Sequence, residues 1–190
     1  MLYINDHLYD FDLDEALRQL SEQRRAQALK FRHEQGRRTC VAAYMLLCEG
    51  LKTEYGITDK PLFAYGEHGK PSLADYPHIH FSLSHCREAA ACYVSSTPVG
   101  IDIESVRPLH DALVEYTMNA DEVRLIRESE RPDLQFIQLW TQKEALLKFT
   151  GSGIVDNMRD VLTRHRDHLH IATTVSPDAR YVLSICQKQK

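Results

Sequence analysis

The chain has 190 residues, 43% of them hydrophobic and 26% charged, enough to bury one substantial core or two smaller ones that share an interface. Its 23 Lys and Arg against 27 Asp and Glu give a formal net charge of -4, which argues against a general nucleic-acid binder and leaves bulk electrostatics naming no partner. The five cysteines (Cys40, Cys48, Cys86, Cys92, Cys186) are odd in number and lack a C-x-x-C pair, so neither a disulfide framework nor a zinc knuckle is expected and a reducing cytoplasm is the expected setting. The opening MLYINDHLYDFDLDE places acids where a secretory signal needs basic residues, and no stretch approaches ~18 consecutive apolar residues, so neither a leader nor a membrane span is expected.

From Asp12, placed to cap a first turn, Leu13, Leu17 and Leu20 and then Ala28, Leu29 and Phe31 recur at helical spacing. A second helical stretch follows Glu34 with Cys40, Val41, Tyr44, Leu47 and Leu51. Between Pro61 and Pro98 the texture changes to short apolar or alternating runs, His78 to Leu83 and Ala89 to Ser95, which predict strands; Val99 to Ile103 predicts another. Helix returns from Leu109 to Phe149, punctuated at Asn119 and at Pro132, and Gly151 and Gly153 stop it. Two further strands are predicted at His168 to Val175 and Arg180 to Ile185, joined by the turn Ser176-Pro177-Asp178. His78-Ile79-His80-Phe81 and His168-Leu169-His170-Ile171 match in type and each head a strand pair, so a tandem of two related halves, 1-96 and 97-190, is expected.

Three segments carry chemistry. In Val99-Gly100-Ile101-Asp102-Ile103-Glu104 the strand period puts Asp102 and Glu104 on one face, opposite Ile101 and Ile103. Adjacent carboxylates repel unless a cation lies between them, and Mg²⁺ is commonly held by one or two carboxylates together with substrate phosphates. The alternative is a solvated acidic face. In Trp140-Thr141-Gln142-Lys143-Glu144-Ala145-Leu146-Leu147-Lys148 the spacing sets Trp140, Glu144 and Lys148 on one stripe, with Lys143 one residue round; the alternative is an ordinary exposed Glu-Lys pair. Gly69-Lys70-Pro71 fixes an ammonium on a rigid turn, and Phe81-Ser82-Leu83-Ser84-His85 ends a strand with a hydroxyl and an imidazole, either of them a phosphate contact or plain surface. There is no G-x-S-x-G elbow, P-loop or G-x-G-x-x-G.

Taken in order, GKP, SLSH, GIDIE and WTQKEALLK followed by GSG resemble the 4'-phosphopantetheinyl transferase superfamily, in its longer single-chain type, from about Arg24 to Ile154. The resemblance implies an α/β (α+β) fold of two similar subdomains related by pseudo-twofold symmetry, each a small mainly antiparallel sheet packed on helices, working as a monomer. It implies an enzyme of the holo-[acyl-carrier-protein] synthase type, which moves 4'-phosphopantetheine from coenzyme A to a serine of an apo acyl or peptidyl carrier protein and releases 3',5'-ADP. By the same resemblance Asp102, Glu104 and Glu144 bind Mg²⁺, Glu144 being also the candidate general base. Lys148 lies at the transferred phosphate with Lys143 as its partner, and Lys70, Ser84, His85 and Arg38 hold the phosphates of coenzyme A. Cys86 follows His85 where a small hydroxyl residue is common, and the loop before Arg38 is one residue shorter.

Two other readings stay open on the residues alone: a Mg²⁺-dependent phosphodiesterase or nucleotide hydrolase, and a non-catalytic module that binds coenzyme A or a carrier protein. The stretch Arg18 to Arg38 sets seven cations against Glu22 and Glu34, so Arg24, Arg25 and Arg32 are expected to dock an acidic carrier protein, the alternative being the solvated face of a helix.

Overall fold

A computed structural model describes residues 1-153, 157-164 and 168-189; Ile154, where the motif resemblance ends, lies outside the described residues. Helix boundaries follow cap chemistry. The Asp12 carboxylate accepts the Glu15 N–H at 2.8 Å and opens α1 (Leu13–Gln19). The Ser21 hydroxyl accepts the Arg24 N–H and restarts the chain as α2 (Glu22–Leu29), so the apolar pattern expected from Asp12 to Phe31 forms two short helices. The long helix α3 (Glu34–Tyr55) ends at Gly56, whose φ of 69° is the left-handed stop that glycine supplies. After α4 (Asp111–Thr117), Asn119 and Glu122 form a capping box at the head of α5 (Ala120–Glu128). Pro132 opens α6 (Pro132–Thr150) and Gly151 closes it, the punctuation expected from sequence. A 3-10 turn, Met158–Asp160, runs into the short α7 (Val161–Arg164).

Among the described residues three antiparallel sheets result. The strands β1 (Leu2–Asn5), β4 (His80–His85) and β5 (Ala90–Ser95) form a sheet in the order β1-β5-β4, while β2 (Phe63–Tyr65) and β3 (Pro71–Leu73) form a small separate hairpin. The strands β6 (Val99–Ser105), β7 (Leu169–Val175) and β8 (Tyr181–Lys188) form a sheet in the order β6-β8-β7. Both three-stranded sheets thus share a connectivity: a strand, a long helix, then a hairpin whose second strand pairs with the first strand. The two His-x-His runs stand at the start of the equivalent strands β4 and β7. The strands β1, β2 and β3 are not among those expected from sequence; each has only three or four residues.

Helix α3 covers one face of the first sheet, with Val41, Tyr44, Leu47 and Leu51 packed among Phe81, Cys92 and Val94. Helix α6 covers the second sheet, burying Phe136, Ile137 and Leu146 near Val182 and Cys186. A third apolar layer of Ala89, Ala91, Ile101, Ile103 and Leu183 fills the space between the sheets. Burying each such Ile or Leu contributes about 1.5–3 kcal/mol. The sheets meet where β4 runs beside β6, and side-chain hydroxyls take the place of a ladder: Ser82 Oγ accepts the Ile101 N–H at 3.0 Å and Ser84 Oγ accepts the Ile103 N–H at 3.2 Å. Edge N–H groups of β6 that would otherwise be buried without partners are satisfied in this way. No helix among the described residues is long and apolar enough to cross a membrane.

Candidate active site

The alternation of β6 sends Ile101 and Ile103 into the layer between the sheets, and Asp102 and Glu104 to the face that α6 crosses. Gly100 sets how closely they are crossed. A Cβ there would lie 2.1 Å from the Ala145 carbonyl and 2.3 Å from the Phe149 amide, so only glycine lets the helix lie on the strand. This contact brings Glu144 and Lys148 over Asp102, while Trp140, one turn earlier, donates its indole N–H to Glu104 Oε1 at 3.4 Å and stacks on Phe136.

Asp102 is the centre of the arrangement. It is 3% exposed; its Oδ1 accepts from the Lys148 ammonium at 2.7 Å and from the Ser84 hydroxyl at 2.8 Å, while its Oδ2 is buried with no partner. The Ser84 hydroxyl also accepts from Lys148 Nζ at 2.8 Å, so with the Ile103 bond its hydrogen-bonding capacity is used up. Burial, reinforced by the Asp102 charge, pushes the pKa of both Glu104 and Glu144 above the ordinary carboxylate range, and the Lys148 charge opposes this in each case.

Asp102, Glu104, Glu144 and Lys148 line one cleft of about 370 Å³ with Ser84, His85 and Arg24. Close packing, then the charges of Lys148 and Arg24, hold the His85 pKa below its usual value, although the residue reaches solvent; its ring meets the edge of Phe31. A second, mainly apolar hollow of about 260 Å³ adjoins the cleft and shares Glu144 and Lys148 with it. Its wall includes Lys70, whose ammonium donates to the Phe149 carbonyl at 2.8 Å and whose pKa is lowered by burial. Lys70 thereby ties the turn between β2 and β3 to the end of α6, next to Gly151, whose φ is 72°.

The structure gathers Asp102, Glu104, Glu144, Lys148, Ser84 and His85 in the cleft and Lys70 beside it, but it does not bring Lys143 or Arg38 there. Lys143 is wholly buried on another side of α6. Its ammonium donates to Glu122 Oε2 at 2.6 Å and to the carbonyls of Thr117, Met158 and Arg159 at 2.8, 2.9 and 3.2 Å. One residue along a helix is a rotation of about 100°, so the neighbour of a site residue need not face the site. Arg38 is held against the N-terminal loop: it donates to Glu34 Oε1 and to the Leu8 and Phe11 carbonyls, and its guanidinium lies over the rings of Tyr9 and Phe11. Neither side chain therefore lines the cleft or the adjoining hollow.

The cation that sequence reasoning assigned elsewhere is Arg24. Its guanidinium lies over the rings of Tyr44 and Phe63, at 5.6 and 5.1 Å from their centroids, and its Nε is buried without a partner. The only signal for it in the sequence is its place in the first turn of a capped helix. Cys86, the departure beside His85, is packed in the apolar layer between the sheets.

Residues 98–187 match the family model of the 4'-phosphopantetheinyl transferase superfamily. The chain is 30% identical over 185 residues to the 4'-phosphopantetheinyl transferase psf-1 of Bacillus pumilus, an alignment that covers 90% of this chain and 79% of that protein. The chain belongs to the 4'-phosphopantetheinyl transferase superfamily. Two further relatives of the superfamily are a 4'-phosphopantetheinyl transferase of Bacillus subtilis, 25% identical over 97% of this chain and 89% of that protein, and HetI of Nostoc sp., 34% identical over 78% and 69%. The part matched by the superfamily model begins one residue before β6 and ends within β8, so it contains the Asp102 strand and the Glu144 helix.

Among the described residues no three His, Cys, Asp or Glu side chains are gathered so as to hold a metal ion. The donor set nevertheless fits a hard divalent cation. Asp102 Oδ2 is an orphaned buried carboxylate oxygen facing no donor, and the two acids sharing its cleft have their pKa raised by burial and by its charge. An added positive charge relieves both conditions.

Proposed function

We propose that the chain transfers 4'-phosphopantetheine from coenzyme A to a serine hydroxyl of an apo acyl or peptidyl carrier protein, releasing 3',5'-ADP, in a Mg²⁺-dependent reaction of the holo-[acyl-carrier-protein] synthase type. The observation that carries this reading is buried Asp102, with one oxygen on Lys148 and the other unpartnered, in a cleft that also holds Glu104, Glu144 and Arg24. Such an inventory suits phosphoryl transfer, in which the protein mainly positions groups and neutralises charge. Asp102, Glu104 and Glu144 would hold Mg²⁺, which when bound supplies Lewis-acid neutralisation of the pyrophosphate.

In this reading the serine oxygen forms a bond to the β-phosphorus as the bond to the bridging pyrophosphate oxygen breaks, and 3',5'-ADP departs with that oxygen and its charge. Glu144, which lines the cleft beside Lys148, takes the serine proton. The Lys148 ammonium, partly exposed, meets the charge of the departing phosphate. Arg24, lying over two rings and short of one acceptor, is suited to a phosphate of coenzyme A, with His85 in the same cleft. Lys70, already bonded to the end of α6, supports the wall of the neighbouring hollow. Residues 1-96 would then supply the coenzyme A contacts and residues 97-190 the acids, one chain acting as a monomer in the cytoplasm.

The test is to incubate the protein with coenzyme A, Mg²⁺ and an apo carrier protein, then weigh the carrier by mass spectrometry. A gain of one phosphopantetheine arm on a serine, absent with Asp102→Asn, supports the reading. Cleavage of coenzyme A with the carrier unchanged would show a hydrolase.

A further inference from the structure

The buried acid of the cleft is paired with an internal cation. Lys148 Nζ lies 2.7 Å from Asp102 Oδ1 and 2.8 Å from Ser84 Oγ, and the side chain is 31% exposed, so its flexible stem reaches in from the cleft. Asp102 itself is fixed by Ser84, whose hydroxyl is anchored on the Ile103 amide. The carboxylate is therefore the more enclosed partner of the pair and the lysine the one open to the cleft. A divalent cation reaching the cleft by itself meets an aspartate whose charge is already half engaged, and a like charge beside it.

We infer that Lys148 is a resident counter-ion of Asp102 that keeps divalent-metal affinity low until a pyrophosphate gives the ammonium a second anion, so that metal and coenzyme A bind as a coupled pair. This rests on the proposed function and adds to it how the site loads. Two ligands that each relieve the same repulsion must strengthen one another equally, because coupling between binding sites is reciprocal. A bound pyrophosphate would draw the Lys148 ammonium outward and leave Asp102 its full field for a divalent cation, whose charge would in turn favour the pyrophosphate. An unloaded cleft holding bare metal is thereby disfavoured.

Calorimetric titration with Mn²⁺ as the probe tests this, alone and with saturating coenzyme A, on the parent protein and on Lys148→Met, Lys148→Gln and Lys148→Arg. The parent should bind Mn²⁺ at least about tenfold more tightly with coenzyme A than without. Lys148→Met and Lys148→Gln should bind Mn²⁺ alone about tenfold or more tightly than the parent does, and lose most of the enhancement by coenzyme A. Lys148→Arg, which keeps the charge, should behave like the parent. Circular dichroism shows whether each variant is folded, and two neutral replacements guard against the failure of one. If the folded neutral variants bind Mn²⁺ alone no more tightly than the parent, while the parent binds Mn²⁺ in the presence of coenzyme A, the counter-ion role is refuted and the proposed function stands. If the parent binds no Mn²⁺ even with coenzyme A, the metal site falls and the counter-ion role with it.

Discussion

Replacing Lys143 separates a structural cation from a ligand-binding one. The ammonium has no exposed surface and satisfies four acceptors, from the end of α4, the capping box of α5 and the 3-10 turn at Met158. Lys143→Met keeps an unbranched side chain one atom shorter and removes the charge. It takes a donor from three carbonyls, of which Arg159 keeps the Asn119 side-chain amide and Met158 keeps the Val161 N–H, and it leaves Glu122, 6% exposed, without its cation. Breaking a buried ion pair by removing one partner costs about 3–5 kcal/mol. Glu122 keeps its bond from the Asn119 amide, so the lower end of that range applies. For a chain of this size each kcal/mol moves the melting temperature by about 2–4 °C, so Lys143→Met should melt roughly 6–12 °C below the parent.

The assay pairs thermal and urea unfolding with calorimetric titration of coenzyme A at a temperature where the variant is folded. Stability should fall while the coenzyme A dissociation constant, per folded molecule, changes less than about twofold, because the ammonium touches nothing in the cleft. In Lys143→Met/Glu122→Gln part of the loss should return, since the stranded charge is gone. A variant as stable as the parent, or a folded one that binds coenzyme A tenfold more weakly, would refute the assignment and return Lys143 to the phosphates.

Gly100→Ala should destabilise the protein by about 1–3 kcal/mol or more and reduce transfer sharply, because its Cβ drives α6 off β6 and separates Glu144 and Lys148 from Asp102; unfolding and transfer assays within error of the parent would mean that the helix yields freely. His85 is held below its usual pKa, so it is mostly neutral at pH 6.5, and a phosphate beside it raises that pKa. Binding of coenzyme A near pH 6.5 should then take up protons, seen as a dependence of the calorimetric enthalpy on the buffer's ionisation heat, and His85→Asn should remove that uptake. In the unbound protein the depressed pKa means that folding stability falls as pH drops through the ordinary histidine range, and His85→Asn should flatten that acid limb in urea unfolding. Arg25 and Arg32 are exposed, unlike Arg24, and reversing both to Glu should raise the KM for an acidic carrier protein and weaken its salt dependence with coenzyme A affinity unchanged; untouched carrier kinetics at low salt would show that docking uses another face.

What the sequence disclosed of the site is the part that local geometry fixes. Asp102 and Glu104 share a face because strands alternate, and Trp140, Glu144 and Lys148 share a stripe because helices turn every 3.6 residues, so each set was readable without knowing the fold. Caps were readable for the same reason: Asp12, Asn119, Pro132 and Gly151 act within one turn of themselves. The positions of Lys143 and Arg38 away from the cleft were not readable, because periodicity gives an angle around a helix and not what covers that angle. Lys143 meets the α5 capping box, 21 residues away in the chain, and Arg38 meets a loop 27 and 30 residues earlier. The strands β1, β2 and β3 were missed because three or four residues carry too little alternation, and β1 exists through its pairing with β5, about 90 positions later.

Ser82 and Ser84 show how the two kinds of information combine. In the sequence, a strand ending in Ser-Leu-Ser-His offers hydroxyls to a ligand. In the fold the hydroxyls face the neighbouring sheet, where they accept the Ile101 and Ile103 amides that β6 would otherwise bury unpaired. One strand edge is thus held by the side chains of another, and the junction places Ser84 against Asp102 with no further element needed. A Ser84→Ala change would leave the Ile103 amide unsatisfied and free Asp102 to turn, at a cost of about 1–3 kcal/mol for the amide alone. The residue that resembles a phosphate contact is therefore the one that fixes the central carboxylate, and through it the position of the Lys148 ammonium.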